Sequence, residues 1–216
     1  MRLYIVRHGE SRGNLAGMLQ GSRVDEPLSP NGVRQAEALS ARLAPEPIDS
    51  VYASPMIRAR QTAEIVSAPH SLPIVADPDL LEFDWGVWCG RRLDDDMERD
   101  VAAIRARWRA GDLDAAPDGG ESPAAAGRRA ARFLERLRAA EAGHPLVVAH
   151  GRFNRILMAT LLSRPLSRMD EIRQRNGSLS TFDWNGGGSV TPVLLDDVAH
   201  IPGDLRSITG GSDSLK

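Results

Sequence analysis

Two histidines in this chain stand at the ends of short apolar runs, the first after an intervening arginine, and precede glycines: LYIVRHG at residues 3–9 and LVVAHG at 146–151. Imidazole is a competent nucleophile or base near neutral pH without a metal, and a following glycine lets backbone approach a ligand closely. Arg7 stands immediately before His8, and Arg58 lies four residues after Ser54, where a Ser-Pro pair opens a helix. A guanidinium near a helix amino end, whose free N–H groups already favour anions, grips a phosphate with two parallel hydrogen bonds. Each residue taken singly has an ordinary explanation. A strand-ending histidine finds a local hydrogen bond, and a helical arginine is solvated, as Arg60 reads. Two histidines in the same setting, one of them joined to an arginine, point to a single anion-handling centre.

The runs that carry these histidines, LYIV (3–6) and LVVA (146–149), suit strands buried on both faces, as in a parallel sheet. IDSVYAS (48–54) is a weaker third strand. LSTFDW (179–184) alternates, with Leu179, Thr181 and Asp183 on one face. VTPVLL (190–195) contains Pro192 and reads as an edge strand, reached through a turn at NGGGS (185–189). Ser29-Pro30, Ser54-Pro55 and Ser122-Pro123 mark helix starts, each a capping hydroxyl before a proline at the first helical position. Apolar stripes follow the first and third, through Val33, Ala36, Leu39 and Leu43, and through Ala126, Ala130, Phe133, Leu137 and Ala140. Two more helices are expected near 102–110 and 153–162. Strands alternating with helices predict an α/β fold, a three-layer α/β/α sandwich with a mostly parallel central sheet. The expected organisation is a single domain over 1–216 with a small lid subdomain inserted at about 85–120 and a tail at about 204–216. Ligands of open α/β sheets bind outside the carboxyl ends of the strands. Neighbouring strands would therefore aim His8 and His150 into one crevice.

Bulk properties narrow the function further. The 216 residues hold 27 basic and 29 acidic side chains, a net charge of −2. No global basicity suits nucleic acid, so anion binding must be local. No stretch approaches the roughly 18 apolar residues of a membrane span. Strand-like sequence from Leu3 leaves no room for a signal peptide. The single cysteine, Cys89, excludes an intrachain disulfide and fits a reducing compartment. The expected location is cytoplasmic; no pattern specifies an oligomeric state. His8 and Glu10 form an H-x-E, yet zinc deaminases also need P-C-x-x-C. H-E-x-x-H and the P-loop consensus are absent, so neither a metal nor another cofactor is expected. Asn176-Gly177-Ser178 fits a glycosylation sequon but reads as a turn into the following strand.

RHGES (7–11), Asn14, LQG (19–21) and DEPLSPNGVRQA (25–36) resemble the amino-terminal signature of the histidine phosphatase superfamily, also called phosphoglycerate mutase-like. ASPMIRARQTAE (53–64), LLEFDWGVWCG (80–90), GGES (119–122) and VVAHG (147–151) are similar to its later blocks, in family order. The resemblance implies a phosphomonoester hydrolase of the histidine acid phosphatase type, acting on a small phosphorylated metabolite through a phosphohistidine. His8 is then the nucleophile, with its other ring nitrogen holding a proton on a backbone carbonyl or similar acceptor. Arg7, Arg58 and His150 form the phosphate pocket, and Asn14 donates an amide hydrogen bond. Gln20 and Gly21 match a substrate-touching loop, and Gly151 accompanies His150 in binding. Glu82 matches the proton donor, because a carboxyl beside a phosphate dianion favours its protonated form; Asp84 is its rival. Glu10, Ser11 and Glu121 have capping and loop roles.

Mutases share this pocket. The short segment between Gly90 and Gly120 and the non-aromatic Ser22 favour water as the phosphoryl acceptor. A mutase-type phosphotransferase and a non-catalytic phosphate-binding module are the alternatives. In the lid, Trp85 and Trp88 offer an apolar wall, and Cys89 reads as a packed small residue. Arg91 or Arg92 either holds a substrate carboxylate or pairs with the acidic run Asp94, Asp95 and Asp96. Arg105, Arg107 and Arg109 read as a solvated helix face.

Overall fold

The alternation of strand and helix closes into one sheet in the computed structural model, which describes residues 1–140, 143–185 and 188–206. Strands β1 (Arg2–Arg7), β2 (Ser50–Ala53), β3 (Ile74–Ala76), β4 (Pro145–Ala149), β5 (Leu179–Trp184) and β6 (Val190–Asp197) lie in the order β3-β2-β4-β1-β5-β6. The first four strands of that order run parallel. β5 pairs antiparallel with β1, and β6 antiparallel with β5. The helices are α1 (Arg12–Leu15), α2 (Pro30–Leu43), α3 (Ile57–Ser67), α4 (Asp95–Arg109), α5 (Pro123–Ala139) and α6 (Gly151–Leu161).

The period of two along each strand divides its side chains between two helical layers. Tyr4, Val6, Leu146 and Val148 pack with Ala36, Leu39 and Leu43 of α2 and Ala59, Ala63 and Val66 of α3. Leu3, Ile5, Val147 and Ala149 face the other way, onto Phe133 and Leu137 of α5 and Phe153 and Ile156 of α6. Each such buried Leu, Ile, Val or Phe contributes roughly 1.5–3 kcal/mol relative to exposure. The fold is the expected three-layer α/β/α sandwich.

The inserted segment joins the second of these apolar clusters. Met97, Val101, Ile104 and Trp108 of α4 recur at helical spacing and meet Phe83 and Trp85; the Phe83 and Trp108 rings lie 5.5 Å apart. Its near end is tied to the 17–19 loop, where Leu19 N–H donates to Arg91 O at 2.9 Å and Leu93 N–H to Gly17 O at 3.0 Å.

Some expected elements shift. Ser54 does not cap α3, which starts at Ile57 with Met56 at the cap and no side-chain bond there. α4 begins at Asp95, well before 102, because Asp94 caps it by accepting from Met97 N–H at 2.9 Å. β3 is three residues long, too short to show a period. β6 takes the edge position that Pro192 requires. Asn185 N–H donates to Ser189 O at 2.9 Å across the expected NGGGS turn; Gly186 and Gly187 of that turn lie outside the described residues, as does 207–216 of the expected tail. Leu205, also assigned to the tail, is buried with Val198 and Ile201, and its carbonyl accepts from Gln35 Nε2 at 2.7 Å.

The arginines of α4 are likewise not all solvated. Arg105 is buried and donates to Asp170 at 2.8 Å. Arg152 of α6 bonds the same carboxylate, and Arg155 lies 3.4 Å from it. Burial opposes ionisation of Asp170, but Arg152 and Arg105 hold its carboxyl well below the usual carboxylate range. Removing one partner of a buried ion pair strands the others. Asp170→Ala is therefore expected to lower the free energy of unfolding by about 3–5 kcal/mol in equilibrium denaturation. Asp96→Ala, which loses only an exposed pair with Arg99, should cost less than about 1 kcal/mol. Equal small effects for both would contradict this anchoring role.

Candidate active site

Register brings three loop residues to one edge of the sheet. Arg7 pairs with Ala149 across β1 and β4, and Ala53 with Val148 across β2 and β4. The next residues, His8, His150 and Ser54, therefore lie side by side at the carboxyl ends. The backbone ladder continues one step beyond the strands: His8 N–H donates to Ala149 O and Ser54 N–H to Val148 O, both at 3.0 Å. The imidazoles of His8 and His150 stand edge to face with centroids 5.1 Å apart.

His8 has only one ring nitrogen committed to an acceptor. Its Nδ1 lies 2.6 Å from Gly9 O, and a carbonyl oxygen only accepts, so the proton sits on Nδ1 and Nε2 keeps its lone pair. Arg58 Nε approaches that Nε2 at 3.3 Å. The Arg58 guanidinium is 1% exposed and is held by Val24 O and Gly21 O, each at 3.0 Å. Arg7 donates to Gln174 O. Gly151 opens α6 beside it; a Cβ there would sit 3.0 Å from the Arg7 guanidinium carbon, so glycine keeps that space for the cation.

Arg7, His8, Asn14, Gln20, Gly21, Arg58 and Glu82 line a cavity of about 30 Å³, with Met18, Leu19 and Trp85 on its apolar side. His150 and Gly151, expected in the pocket, are not among its lining residues; the buried His150 ring adjoins it through its edge-to-face contact with His8. Asn14 Oδ1 accepts from Ser11 N–H and from Asn176 Nδ2, each at 3.1 Å, which leaves the amide NH₂ as the group that a ligand meets. Gln20 Nε2 donates to Ser11 Oγ at 2.8 Å. Glu82 accepts at Oε1 from Phe83 N–H (2.8 Å) and Phe153 N–H (2.9 Å), the latter at the start of α6. Asp84, the rival, points elsewhere: Arg23 holds it at 2.9 Å and it caps Gly86 N–H at 2.9 Å. Ser11 caps α1, Glu10 accepts from Ser29 Oγ at 2.7 Å, and Glu121 pairs with Arg129 at 2.6 Å.

Several supporting residues escaped the sequence reading. Arg129 donates to Asp79 O and Leu81 O at 2.7 and 2.6 Å and lies over the Phe153 ring, fixing the segment that carries Glu82. Nothing in GRRAAR singles it out. Asn176 is buried and donates to His8 O at 3.2 Å. Ser54, read as a helix cap, contacts His150 Nε2 at 2.7 Å; its place directly after a strand was the available signal. In the 85–120 segment, no ion pair joins Arg91 or Arg92 to Asp94 or Asp96 among the described residues; the Asp95 side chain, also expected in that pairing, lies outside them. Cys89 packs where a Cβ on Gly21 would come within 2.6 Å of its sulfur.

The model of the histidine phosphatase superfamily (branch 1) matches residues 3–197. The chain belongs to that superfamily. It is 33% identical to a probable phosphoglycerate mutase of Proteus mirabilis over 93% of this chain and 95% of that protein. Identity to the adenosylcobalamin/alpha-ribazole phosphatase of Salmonella typhimurium is 34%, over 90% of this chain and 96% of that one. The crystal structure of the alpha-ribazole phosphatase from Shigella flexneri superposes with a TM-score of 0.80 at 31% identity, covering 92% and 98% of the two chains.

Within this histidine phosphatase superfamily site, electrostatics keep both imidazoles uncharged. Burial, then Arg58 and Arg7, hold His8 well below the ordinary histidine value. Burial, then Arg58 and His8, do the same to His150. Burial also lowers Arg58, but only to about 10, so it stays cationic at neutral pH. The unfolded chain binds protons at these histidines near pH 6.5, whereas the fold resists them. Stability should therefore fall as pH drops below that value, by up to about 1.4 kcal/mol per pH unit for each histidine. Thermal unfolding between about pH 7.5 and about pH 5.5 checks the sign. A His8→Gln variant should show a shallower decline; an identical slope would contradict the linkage.

Proposed function

We propose that this protein hydrolyses phosphomonoesters of a small metabolite through a phosphohistidine on His8 Nε2. The observation that carries the reading is the His8 tautomer: Gly9 O holds the Nδ1 proton, and the unprotonated Nε2, which accepts from Arg58 Nε at 3.3 Å, faces a cavity also lined by Arg7 and Glu82. Nε2 attacks phosphorus while the ester oxygen departs. Arg7, Arg58 and the Asn14 amide draw negative charge from the three equatorial oxygens. Glu82 delivers a proton to the leaving alkoxide, then takes one from the water that cleaves the P–N bond, and inorganic phosphate leaves. Each step uses only groups in the cavity and water.

Water, rather than a second phosphorylated molecule, is the acceptor in this reading. A mutase has to grip two phosphoryl groups. The arginines of α4 are already engaged by the protein's own carboxylates, Arg105 and Arg109 by Asp170 and Arg107 by Asp112. Met18, Leu19 and Trp85 line the same cavity as the charged groups and meet the alcohol portion. Sequence likeness to an alpha-ribazole phosphatase supports the same side.

The test is turnover of an aryl phosphate in the presence of a chelator, followed by a panel of phosphorylated metabolites with and without a bisphosphoglycerate. Metal-independent hydrolysis is expected, together with an acid-labile, alkali-stable phosphoprotein that disappears in His8→Ala. Label persisting in that variant would remove His8 from its role, and phosphoryl exchange between phosphoglycerates exceeding hydrolysis would establish the mutase reading. Glu82→Gln should slow substrates with poor leaving groups far more than those with good ones, since only the former need protonation. Equal slowing of both would overturn the assignment of Glu82.

A further inference from the structure

Ser54 is wholly buried, and its hydroxyl lies 2.7 Å from His150 Nε2. Its backbone is fixed from both sides: its own N–H bonds Val148 O at 3.0 Å, and Pro55 follows it. Met56 N–H donates to Ser54 Oγ at 3.4 Å, so one lone pair of the hydroxyl is taken. The remaining question is which way the proton between Ser54 and His150 points.

Counting donors answers it. If Nε2 carried the proton and donated it, the serine O–H would be a buried donor with no acceptor among the described residues. His150 Nδ1 would then be a bare lone pair, which also has no partner among them. If the serine O–H donates to Nε2, the hydroxyl is satisfied and the proton of the neutral ring resides on Nδ1. One group is left over, an Nδ1–H in a buried ring 5.1 Å from the ring of His8. A buried N–H without an acceptor is costly, and a phosphoryl oxygen is an acceptor only.

We infer that Ser54 is a positioning residue that holds His150 as its Nδ1–H tautomer, so that His150 presents a hydrogen-bond donor to a phosphoryl oxygen beside His8. The inference rests on the phosphoryl-transfer reading of the same pocket. Ser54 itself touches no substrate. The charged and titratable groups around His150 are His8 and Arg7 at the end of β1, Arg58 on α3 and Arg129 on α5. None of the three arginines accepts a hydrogen bond, and His8 Nδ1 is taken by Gly9 O. Ser54 is therefore the partner that selects the tautomer.

Nitrogen-15 NMR of the full chain without ligand tests the inference apart from activity, with His150 signals assigned by their loss in His150→Asn. The expected spectrum shows a protonated Nδ1 and an unprotonated Nε2 in the native protein and in Ser54→Thr, and a mixture of tautomers in Ser54→Ala. Orthovanadate should bind Ser54→Ala about 10- to 100-fold more weakly than the native protein, the scale of losing a hydrogen bond to a buried group. Ser54→Thr should bind it within about threefold of the native value, because the hydroxyl is kept. Hydrolysis of an aryl phosphate should follow the same order, with the acid limb of the kcat profile displaced only in Ser54→Ala. A protonated Nε2 in the native protein would overturn the inference, as would native vanadate affinity in Ser54→Ala. Native tautomer populations in a protein without phosphatase activity would leave Ser54's effect on His150 intact and discard the reaction. If Ser54→Ala does not fold, the native and Ser54→Thr spectra decide.

Discussion

Two guanidinium groups, Arg7 and Arg58, stand buried beside His8, and much of the molecule serves to keep them there. Burying a cation is expensive unless fixed dipoles or opposite charges meet it. Arg58 has two backbone carbonyls and the Asp25 carboxylate at 3.7 Å. Arg7 has the Gln174 carbonyl, and glycine at 151 gives its guanidinium room. The same field that favours a phosphoryl dianion disfavours a proton on either imidazole. In the proposed reaction, affinity for the anion and nucleophilicity of His8 thus come from one arrangement of charge.

Arranging those groups requires close backbone contact at several points. Gly32 shows how close: a Cβ there would fall 1.9 Å from Glu10 O. The start of α2 therefore rests directly on the loop that follows His8, and Ser29 N–H donates to Glu10 O at 2.8 Å. On the far side, Asn176 and Gly177 hold the same loop by donating to His8 O at 3.2 and 3.1 Å. The segment around His8 is gripped through its main chain from two directions, which is how a loop residue acquires the precision of a strand.

What the amino-acid sequence disclosed follows from the range over which each signal acts. Buried parallel strands leave continuous apolar runs, so β1 and β4 and the histidines after them were legible, and the carboxyl-end rule joined them. Ser29 and Ser122 capped helices as their Ser-Pro pairs predicted. Ser54 carries the same pair yet serves a different partner, because that partner lies 96 residues away and leaves no local trace. The acidic run at the start of α4 obscured a stripe of Met97, Val101, Ile104 and Trp108. Arg105 looked like any surface arginine because its burial depends on Asp170, 65 residues further on. Long-range polar pairing was the part that pattern could not reveal.

The order of strands has a consequence for how this chain comes into being. β1 leads the sequence but lies inside the sheet, between β4 and β5. Neither neighbour exists until synthesis has reached Pro145 and beyond. Until then LYIV is an apolar segment without a ladder, in need of shelter from other nascent chains. Because β4 and His150 arrive together, the pairing of β1 and the meeting of the two imidazoles become possible at the same point in synthesis.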